Sequence, residues 1–343
     1  MSPTARSPEN AVCAHVRAAC GLAAVLMGAT LALSASRPLA EVTAVGHRKL
    51  RDCVQVKAGK TTLVVVPAWA GRISVLDFGA GNVVWTDPRI DGWVLDAKDA
   101  WSRWDGDATD VVRDDGKNQW KGLWLHPWPL VKKLQDGVEV ASEVGKEANL
   151  SARRSYRLSD DGRKLTYAYT ITCHGGEPNA WTIWERALVP AEGYAIAPVA
   201  KGGEFPNGWI VRDKAATVDP ADRALNDGDF LVLKAGTIKG VGLAAKLRAG
   251  WIGVVRGDNA LLVTFPIAKD GRYPHHNGAN AAFFLNPDNL ELEPLSPEVT
   301  LKEGESATFT QVWHWVDLPS TLKKDSPAAM GKWLEETSAS LTK

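Results

Sequence analysis

The sequence lacks the features that mark several large classes of protein. Forty Lys and Arg residues balance forty Asp and Glu residues, so the chain has no formal net charge. Nucleic acid is held mainly by a basic field, so we expect no nucleic-acid partner. Only four cysteines occur in 343 residues, and none of them has a second Cys or His at the spacing of a zinc site.

Catalytic and cofactor motifs are equally scarce. The chain has no Gly-x-Ser-x-Gly elbow, and the glycines at 79–81 lack the strand-to-helix context of a nucleotide-binding turn. Asp105, Asp107 and Asp110 are clustered like calcium ligands, but the Gly and the distant Glu of an EF-hand are missing. The sequence therefore predicts neither a metal ion nor a cofactor.

The N-terminus has the pattern of a secretory signal. Arg6 and Arg17 precede an uncharged, mostly apolar run at 18–36 that ends in small residues. We expect a signal peptide over 1–36, or to residue 40 at the latest, and a periplasmic or extracellular protein. The alternative is a retained membrane anchor, because the run is just long enough to span a bilayer. No other membrane contact is expected.

Two cysteines remain after this leader, since Cys13 and Cys20 lie within it. In an oxidising compartment Cys53 and Cys173 could form a disulfide. The alternative is a pair of buried free thiols, and the sequence leaves both open because pairing depends on their separation in the fold.

Short runs of Val, Ile, Thr, Trp and Tyr, separated by Gly, Asp, Asn and Pro, predict an all-β protein. An Asp-Asp-Gly turn at 160–162 between two alternating runs indicates a β-hairpin. A helix is predicted only over 327–341, with Ser326 as its N-cap and Pro327 in its first turn. The predicted strands are 61–66, 72–78, 82–86, 148–158, 163–172, 181–189, 230–234, 251–256, 260–266, 289–294 and 306–316.

Many strands without βαβ alternation favour a sandwich in one domain, since no repeat or linker interrupts the chain. The predicted division is a leader, a β domain over 41–320 and a helical tail over 321–343. The oligomeric state is left open.

The order of several segments resembles a family of unassigned function within the galactose mutarotase-like, or aldose 1-epimerase-like, superfamily. This resemblance spans roughly residues 50–318 and implies a supersandwich of antiparallel sheets with a sugar-binding ancestry. The segments that carry it are 65–73 (VVPAWAGRI), 81–85 (GNVVW), 121–127 (KGLWLHP), 179–185 (NAWTIWE), 290–295 (LELEPL) and 299–315.

The resemblance also implies what an active mutarotase would need. Such enzymes, as a family, use an Asn-His pair, a second His and a late Glu as general base. This chain has no clear Asn-His motif, and Lys121-Gly122 stand where the family it resembles usually carries a His. A carbohydrate ligand is expected, whereas epimerase activity is not established by the motifs.

Tryptophan is unusually abundant, with fifteen in the chain and eight between positions 69 and 128. An indole offers a flat apolar face with an N–H donor, which suits the C–H patches of a sugar. The alternative for each is filling of the core between two sheets. The tryptophans predicted to line a saccharide cleft are Trp93, Trp101, Trp104, Trp120 and Trp124.

Histidines and carboxylates supply candidates for acid–base chemistry. A His near its ordinary pKa can act as acid toward a ring oxygen, and a Glu with a raised pKa can act as base. Period-two alternation puts Glu291 and Glu293 on one face of a strand and their flanking leucines on the other. The predicted catalytic residues are His126, His275, Glu185 and Glu293, and the predicted substrate-binding residues also include Arg72, His276 and Glu291.

Three functions follow from these observations. The first is an exported carbohydrate-binding protein with an aromatic-lined cleft. The second is an aldose 1-epimerase-like isomerase that uses a His acid and a Glu base. The third is a structural cell-envelope protein with a vestigial cleft, which predicts a filled cleft and an exposed apolar patch elsewhere.

Overall fold

Antiparallel β-sheets make up most of the protein, and a helix follows them at the C-terminus. The structure is a computed structural model that describes residues 40–96, 106–113, 123–212, 224–234, 240–323 and 325–342. These residues fall within one compact unit, Pro38–Lys343.

A four-stranded meander comes first in the chain. Its strands pair in sequential order and are β1 (Glu41–His47), β2 (Leu50–Ala58), β3 (Thr61–Val66) and β4 (Arg72–Asp77). A short 3-10 turn, Pro67–Trp69, separates the last two strands, with Pro67 in its first turn. The apolar side chains of this sheet, including Leu63 and Ile73, face the main core.

The largest sheet has ten strands, and all its neighbours run antiparallel. The hairpin predicted around residues 160–162 supplies two of its inner strands, where Leu150–Leu158 pairs with Lys164–Cys173. In sheet order the strands are β13 (Ala224–Asp227), β14 (Phe230–Lys234), β11 (Tyr194–Pro198), β16 (Trp251–Arg256), β17 (Asn259–Thr264), β21 (Ser306–Asp317), β9 (Lys164–Cys173), β8 (Leu150–Leu158), β7 (Gly137–Ala141) and β6 (Leu130–Lys133).

A seven-stranded sheet completes the fold and carries the cavity described below. Strand β10 (Asn179–Pro190) is long enough to pair with β5 (Asp107–Arg113) on one edge and with two strands on the other. The remaining strands are β12 (Trp209–Val211), β15 (Val241–Ala245), β18 (Ala281–Leu285), β19 (Asn289–Pro294) and β20 (Val299–Leu301).

One continuous core joins the three sheets. It contains Leu63 of the meander, Ile183 and Leu292 of the seven-stranded sheet, and Tyr167 and Trp313 of the ten-stranded sheet. Successive side chains of a strand point to opposite faces of its sheet, so the residues next to these core residues in the sequence lie on the face away from the core. The cavity uses that opposite face of the seven-stranded sheet.

The predicted helix, α1 (Pro327–Leu341), is confirmed with the same bounds, and Ser326 caps it by accepting a hydrogen bond from the backbone N–H of Ala329. Its buried residues Met330 and Leu334 pack against Phe230 and Trp251 in a second apolar cluster. This cluster fixes the helix on the outer face of the ten-stranded sheet.

Most predicted strands are confirmed to within a few residues, but the strand predicted at 82–86 is wrong. This segment makes only isolated bridges. The side chain of Asn82 accepts from the backbone N–H groups of Leu76 and Val84, at 2.9 and 3.3 Å. A side-chain acceptor thus takes the place of a strand partner, as is common for Asn in turns.

Cys53 and Cys173 are both buried free thiols. Burial raises the pKa of the Cys53 thiol to about 11. Among the described residues, no helix is both long and apolar enough to cross a bilayer.

Candidate functional site

A cavity of about 600 Å³ lies on the seven-stranded sheet, on the face away from the core. Strands β10, β18 and β19 form its floor, and the segments around residues 85–89 and 276 add its walls. The lining residues are Trp85, Asp87, Arg89, Trp184, Arg186, Arg212, His276, Phe284, Asn286, Pro287, Asp288, Asn289 and Glu291.

Period-two alternation delivers the polar side chains to this cavity. On β19, Leu290 and Leu292 lie in the core, whereas Asn289 and Glu291 line the cavity. The predicted segregation of glutamates from leucines is therefore confirmed for Glu291. On β10 the cavity-lining pair is Trp184 and Arg186.

Glu293 lies at the inner end of the cavity, with a fully buried carboxylate. Its Oε2 accepts from the indole Nε1 of Trp184 at 2.8 Å and from Arg212 at 3.0 Å, while its Oε1 lies 3.4 Å from the second terminal nitrogen of Arg212. Both oxygens are thus occupied by fixed donors. Such a carboxylate holds its neighbours in place and is poorly available to take a proton from a ligand.

The guanidinium of Arg212 lies at the cavity wall, near two aromatic rings. Its guanidinium lies 5.2 Å from the ring centroid of Trp184 and 6.0 Å from that of Phe284. A Cβ at Gly242 would stand 2.8 Å from the Nε of Arg212, so the guanidinium can keep this position only while residue 242 has no side chain. Strand β15 supplies this glycine, and its carbonyl also accepts from the Arg212 backbone N–H at 2.8 Å.

His276 lines the same inner end in a left-handed turn, with a φ of 51°. Its ring meets that of Trp184 edge-on at 4.7 Å, and its Nε2 lies 3.3 Å from a terminal nitrogen of Arg212. Because a guanidinium can only donate, Nε2 must be the acceptor of this contact. Burial, with the nearby charge of Arg212, lowers the pKa of His276 to about 3, so the ring is neutral at physiological pH.

Glu291 lies at the middle of the cavity floor and is almost fully buried. Burial, reinforced by the nearby Glu293, raises the pKa of Glu291 to about 8, although Arg186 opposes the shift from 3.6 Å. At neutral pH most of this carboxyl is therefore protonated, and its O–H can donate a hydrogen bond to a ligand.

The outer end of the cavity is formed by Trp85, the pair Asp87–Arg89, and the β18–β19 turn. Arg89 is highly exposed, and its guanidinium donates to the buried carboxylate of Asp87 at 2.6 Å. No aromatic ring or cation of the described residues stacks on Trp85, so its indole is available to the cavity. The side chain of Asn286 donates to that of Asn289 at 3.2 Å across the turn.

Each arginine of the cavity is paired with a carboxylate. Arg89 pairs with Asp87, Arg212 pairs with Glu293, and Arg186 pairs with Asp110 at 2.7 Å. The cavity thus presents fixed hydrogen-bonding groups without a surplus of positive charge. This arrangement suits a polyhydroxylated neutral ligand more than an anion.

Three residues predicted for the site lie in the interior instead of the cavity. Arg72 is almost fully buried, with its guanidinium 4.5 Å from the ring centroid of Trp124, itself a core residue. Glu185 occupies the opposite face of β10 from Trp184, and its Oε2 accepts from the Thr109 hydroxyl at 2.8 Å. The sequence analysis predicted all three as site residues, because the sequence does not show which side of each segment faces the core.

The interior around Glu185 is a buried polar network between the sheets. Arg154 donates to Asp107 at 2.9 Å and to the hydroxyl of Thr109 at 3.2 Å. Asp107 also accepts from the Tyr156 hydroxyl at 3.0 Å and from the Ile73 backbone N–H at 2.5 Å. The network around Arg154 and Asp107 therefore connects strands β4, β5 and β8 in a buried region.

Glu185 makes the stability of the fold dependent on pH. Burial raises the pKa of Glu185 to about 8, although the nearby Arg154 opposes the shift. Between its ordinary pKa near 4.5 and 8 the folded state retains a proton that the unfolded state releases, so this group's contribution falls as pH rises. We expect wild-type stability relative to Glu185→Gln to fall by about 1.4 kcal/mol for each pH unit in this window.

Urea unfolding of the two proteins at pH 5, 6.5 and 8 measures this difference. A constant gap between the two unfolding free energies across these pH values would contradict the raised pKa of Glu185. Glu139→Gln, on β7, provides the control for removal of a partly exposed carboxylate that lies 3.7 Å from the exposed Arg153.

The other predicted residues lie apart from the cavity or outside the described residues. His126 is exposed on a loop, and Trp93 is half-buried, its carbonyl accepting from the Trp69 indole at 2.7 Å. The ring of His275 lies 6.4 Å from that of His276 and is not part of the cavity lining. Trp101, Trp104 and Trp120 lie outside the described residues. Of the predicted site residues, the structure brings together His276, Glu291 and Glu293.

Sequence reasoning missed several cavity residues. Trp184 and Arg186 flank the Glu185 that was selected, and strand alternation alone would have offered them as the alternative face. Trp85 was assigned to a strand, and Arg212 carries no local signal because its partners are remote in sequence. Among the described residues, no group of three or more His, Cys, Asp or Glu is placed to hold a metal ion.

No known family model matches this sequence, and no curated protein sequence matches it. Solved structures do resemble its fold. A candidate aldose 1-epimerase from Klebsiella pneumoniae subsp. pneumoniae is 12% identical with a TM-score of 0.59, and the match covers 87% of each chain.

Two further solved structures give the same result. A candidate aldose 1-epimerase from Escherichia coli K12 is 14% identical with a TM-score of 0.52, and the match covers 77% of this chain and 98% of that one. A galactose mutarotase-like protein from Lactobacillus casei is 11% identical with a TM-score of 0.52, over 77% of this chain and 100% of that one. The chain therefore has the galactose mutarotase-like fold.

Proposed function

We propose that the protein binds a saccharide in the cavity on its seven-stranded sheet. The observation that carries this proposal is the composition of the cavity wall, in which Trp85, Trp184 and Phe284 alternate with fixed polar groups. Apolar rings and a few placed donors and acceptors are typical of small-molecule sites. A sugar needs both, since its ring faces are apolar and its edges carry hydroxyls.

An aldose 1-epimerase-like function has less support from the geometry. That function would use a histidine as acid and Glu293 or Glu185 as base, and Glu185 lies in the interior, hydrogen-bonded to Thr109. Here the oxygens of Glu293 face the donors of Trp184 and Arg212, and the ring of His276 is neutral. Polarimetry with freshly dissolved α-D-glucose and α-D-galactose tests this alternative, because an epimerase accelerates the approach to the equilibrium rotation and a binding protein does not.

A structural protein with a vestigial cleft is also less well supported. That function predicts a cleft filled by side chains, whereas this cavity has a volume of about 600 Å³. The saccharide proposal is tested by isothermal titration calorimetry of the purified protein against neutral mono- and oligosaccharides. Binding of one sugar class supports the proposal, and an absence of binding across the panel at millimolar sugar contradicts it.

The pH dependence of binding gives a sharper test. A bound sugar removes water from Glu291 and further disfavours its charged form, so binding requires the protonated carboxyl. With a pKa of about 8, we expect the affinity to be constant below pH 7 and to fall about tenfold by pH 9. The affinity of Glu291→Gln should change little with pH over the same range. Calorimetry of both proteins at pH 6, 7, 8 and 9 measures the difference. A parallel loss of affinity in wild type and variant would contradict this role.

Export is the second part of the proposal. It is supported by the sequence pattern at the N-terminus, where two arginines precede an apolar run that ends in small residues. We expect the protein purified from its native host to begin near residue 37, or near residue 41. Mass spectrometry of the intact protein measures this directly, and an uncleaved N-terminus in a cytoplasmic fraction would contradict export.

A further inference from the structure

The cavity is long in one direction, along strand β19. Asn289 and Glu291 line it, and Glu293 is bonded to Arg212, which lines it as well. Residues of an antiparallel strand rise about 3.4 Å each, so Asn289 and Glu293 are separated by about 14 Å along the strand. The cavity lining therefore extends from Asn289, past Glu291, to the Arg212 guanidinium that Glu293 holds, a span of four residue steps along β19.

A single sugar ring is shorter than this floor. A pyranose ring built from bonds of about 1.5 Å places the oxygens on its opposite carbons about 5–6 Å apart. One ring covers less than half of the distance from Asn289 to Glu293, whereas two linked rings cover most of it. The cavity volume of about 600 Å³ agrees with an occupant larger than one ring.

The cavity also has an indole toward each end, but only that of Trp85 is uncovered, because the guanidinium of Arg186 lies 4.2 Å and that of Arg212 lies 5.2 Å from the ring centroid of Trp184. Trp184 lies at the inner end, beside Arg212 and His276. The backbone N–H of Trp85 donates to the carbonyl of Leu188 at 2.8 Å, four residues along β10 from Trp184. By the same rise per residue, the anchoring points of the two indoles are about 14 Å apart.

Polar side chains lie near each of the two indoles, Trp184 and Trp85. We define the inner subsite as Trp184, Arg212 and His276, and the outer subsite as Trp85, Asn286 and Asn289. Glu291 is paired in the strand register with Leu188 of β10, which accepts from the Trp85 backbone N–H, and with Phe284 of β18, so it lies on the inner side of Asn289 and level with the anchoring point of Trp85. The inner subsite is the more enclosed one, because Trp184 and Arg212 donate to the buried Glu293 and His276 contacts Arg212. The outer subsite opens toward the exposed Arg89.

We propose that the ligand is a saccharide of at least two linked pyranose units, with one unit in each subsite. This inference rests on the proposed saccharide binding and adds the length of the ligand. A monosaccharide occupies the inner subsite and leaves the outer one to water. A disaccharide gains the stacking surface of Trp85 and the amide groups of Asn286 and Asn289.

Calorimetric titration with matched pairs of sugars tests this length. The pairs are D-glucose with cellobiose, D-galactose with β-1,4-galactobiose, and D-mannose with β-1,4-mannobiose. For the recognised sugar, we expect the dimer to bind at least about tenfold more tightly than the monomer, since two or three net hydrogen bonds and one stacked ring are added.

Two variants separate the subsites by the ratio of dimer to monomer affinity. Asn286→Ala should lower this ratio toward one, because it removes a group that only the second unit contacts. His276→Ala should weaken both ligands and preserve the ratio. Asp288→Ala serves as a second outer variant if Asn286→Ala loses stability in a thermal melt, because Asp288 is exposed, lies in the same turn and also lines the cavity beside the outer subsite.

The possible outcomes are distinct. Equal affinities for monomer and dimer in the wild type would overturn the two-subsite inference and leave saccharide binding intact. A ratio above tenfold that neither outer variant changes would overturn the assignment of the second unit to the outer subsite. Binding of no sugar in any pair would overturn both the inference and the proposed function.

Discussion

Replacing Arg212 with alanine should lower saccharide affinity about tenfold to a hundredfold, since at least one charge-assisted hydrogen bond to the ligand is lost. The guanidinium also orients the other groups of the inner subsite. It contacts both oxygens of Glu293 and lies 3.3 Å from the Nε2 of His276. Removing it leaves the buried Glu293 carboxylate with the Trp184 indole as its remaining close donor. Calorimetry with the sugar recognised by the wild type measures the effect.

A matched control for this loss is Arg248→Ala. Arg248 pairs with Glu335 of α1 at the surface and is not part of the cavity. We expect wild-type affinity for this variant, because it removes a guanidinium of the same charge that does not line the cavity. Equal affinities of Arg212→Ala and Arg248→Ala for the sugar would show that Arg212 does not contribute to binding.

Gly242→Ala tests the position of the guanidinium without removing its charge. The new Cβ would lie 2.8 Å from the Nε of Arg212, so the guanidinium must move. We expect weaker binding than wild type with a smaller loss than in Arg212→Ala. Wild-type affinity in this variant would show that the exact placement of the guanidinium is unimportant for the ligand.

Replacing Arg154 with alanine should destabilise the fold by about 3–5 kcal/mol, because it leaves buried carboxyl groups without their cation. Arg154 and Asp107 are both fully buried, with 2.9 Å between the paired atoms. Desolvation already raises the pKa of Asp107, and the charge of Arg154 opposes that rise. The free energy of unfolding in urea measures the loss.

Arg157→Ala is the control on the same strand. Arg157 pairs with Asp136 at 2.7 Å, but both side chains are exposed. Exposed ion pairs contribute about 0–1 kcal/mol, so this variant should unfold close to wild type. A loss of similar size in both variants would show that the interior network contributes no more than a surface pair.

The sequence by itself determined the class of the fold, the helix and ten of the 21 strands among the described residues, namely β3, β4, β8, β9, β10, β14, β16, β17, β19 and β21. Apolar alternation and turn residues were sufficient for the hairpin at 150–173 and for α1, because these signals are local. The hairpin β1–β2 was missed, since its turn uses Arg48 and Lys49 with φ values of 47° and 64°, where glycine or asparagine would have given a signal. The resemblance to mutarotases was confirmed at the level of the fold.

The tertiary structure alone decided which residues share a site. Alternation placed Glu185 opposite Trp184 and Arg186, but the sequence does not state which face of β10 meets the core. That choice depends on the strands packed across the sheet, which come from distant parts of the chain. The contact of Arg212 with Glu293 likewise joins residues 81 positions apart, and such a pairing is created by packing and leaves no mark on either local sequence.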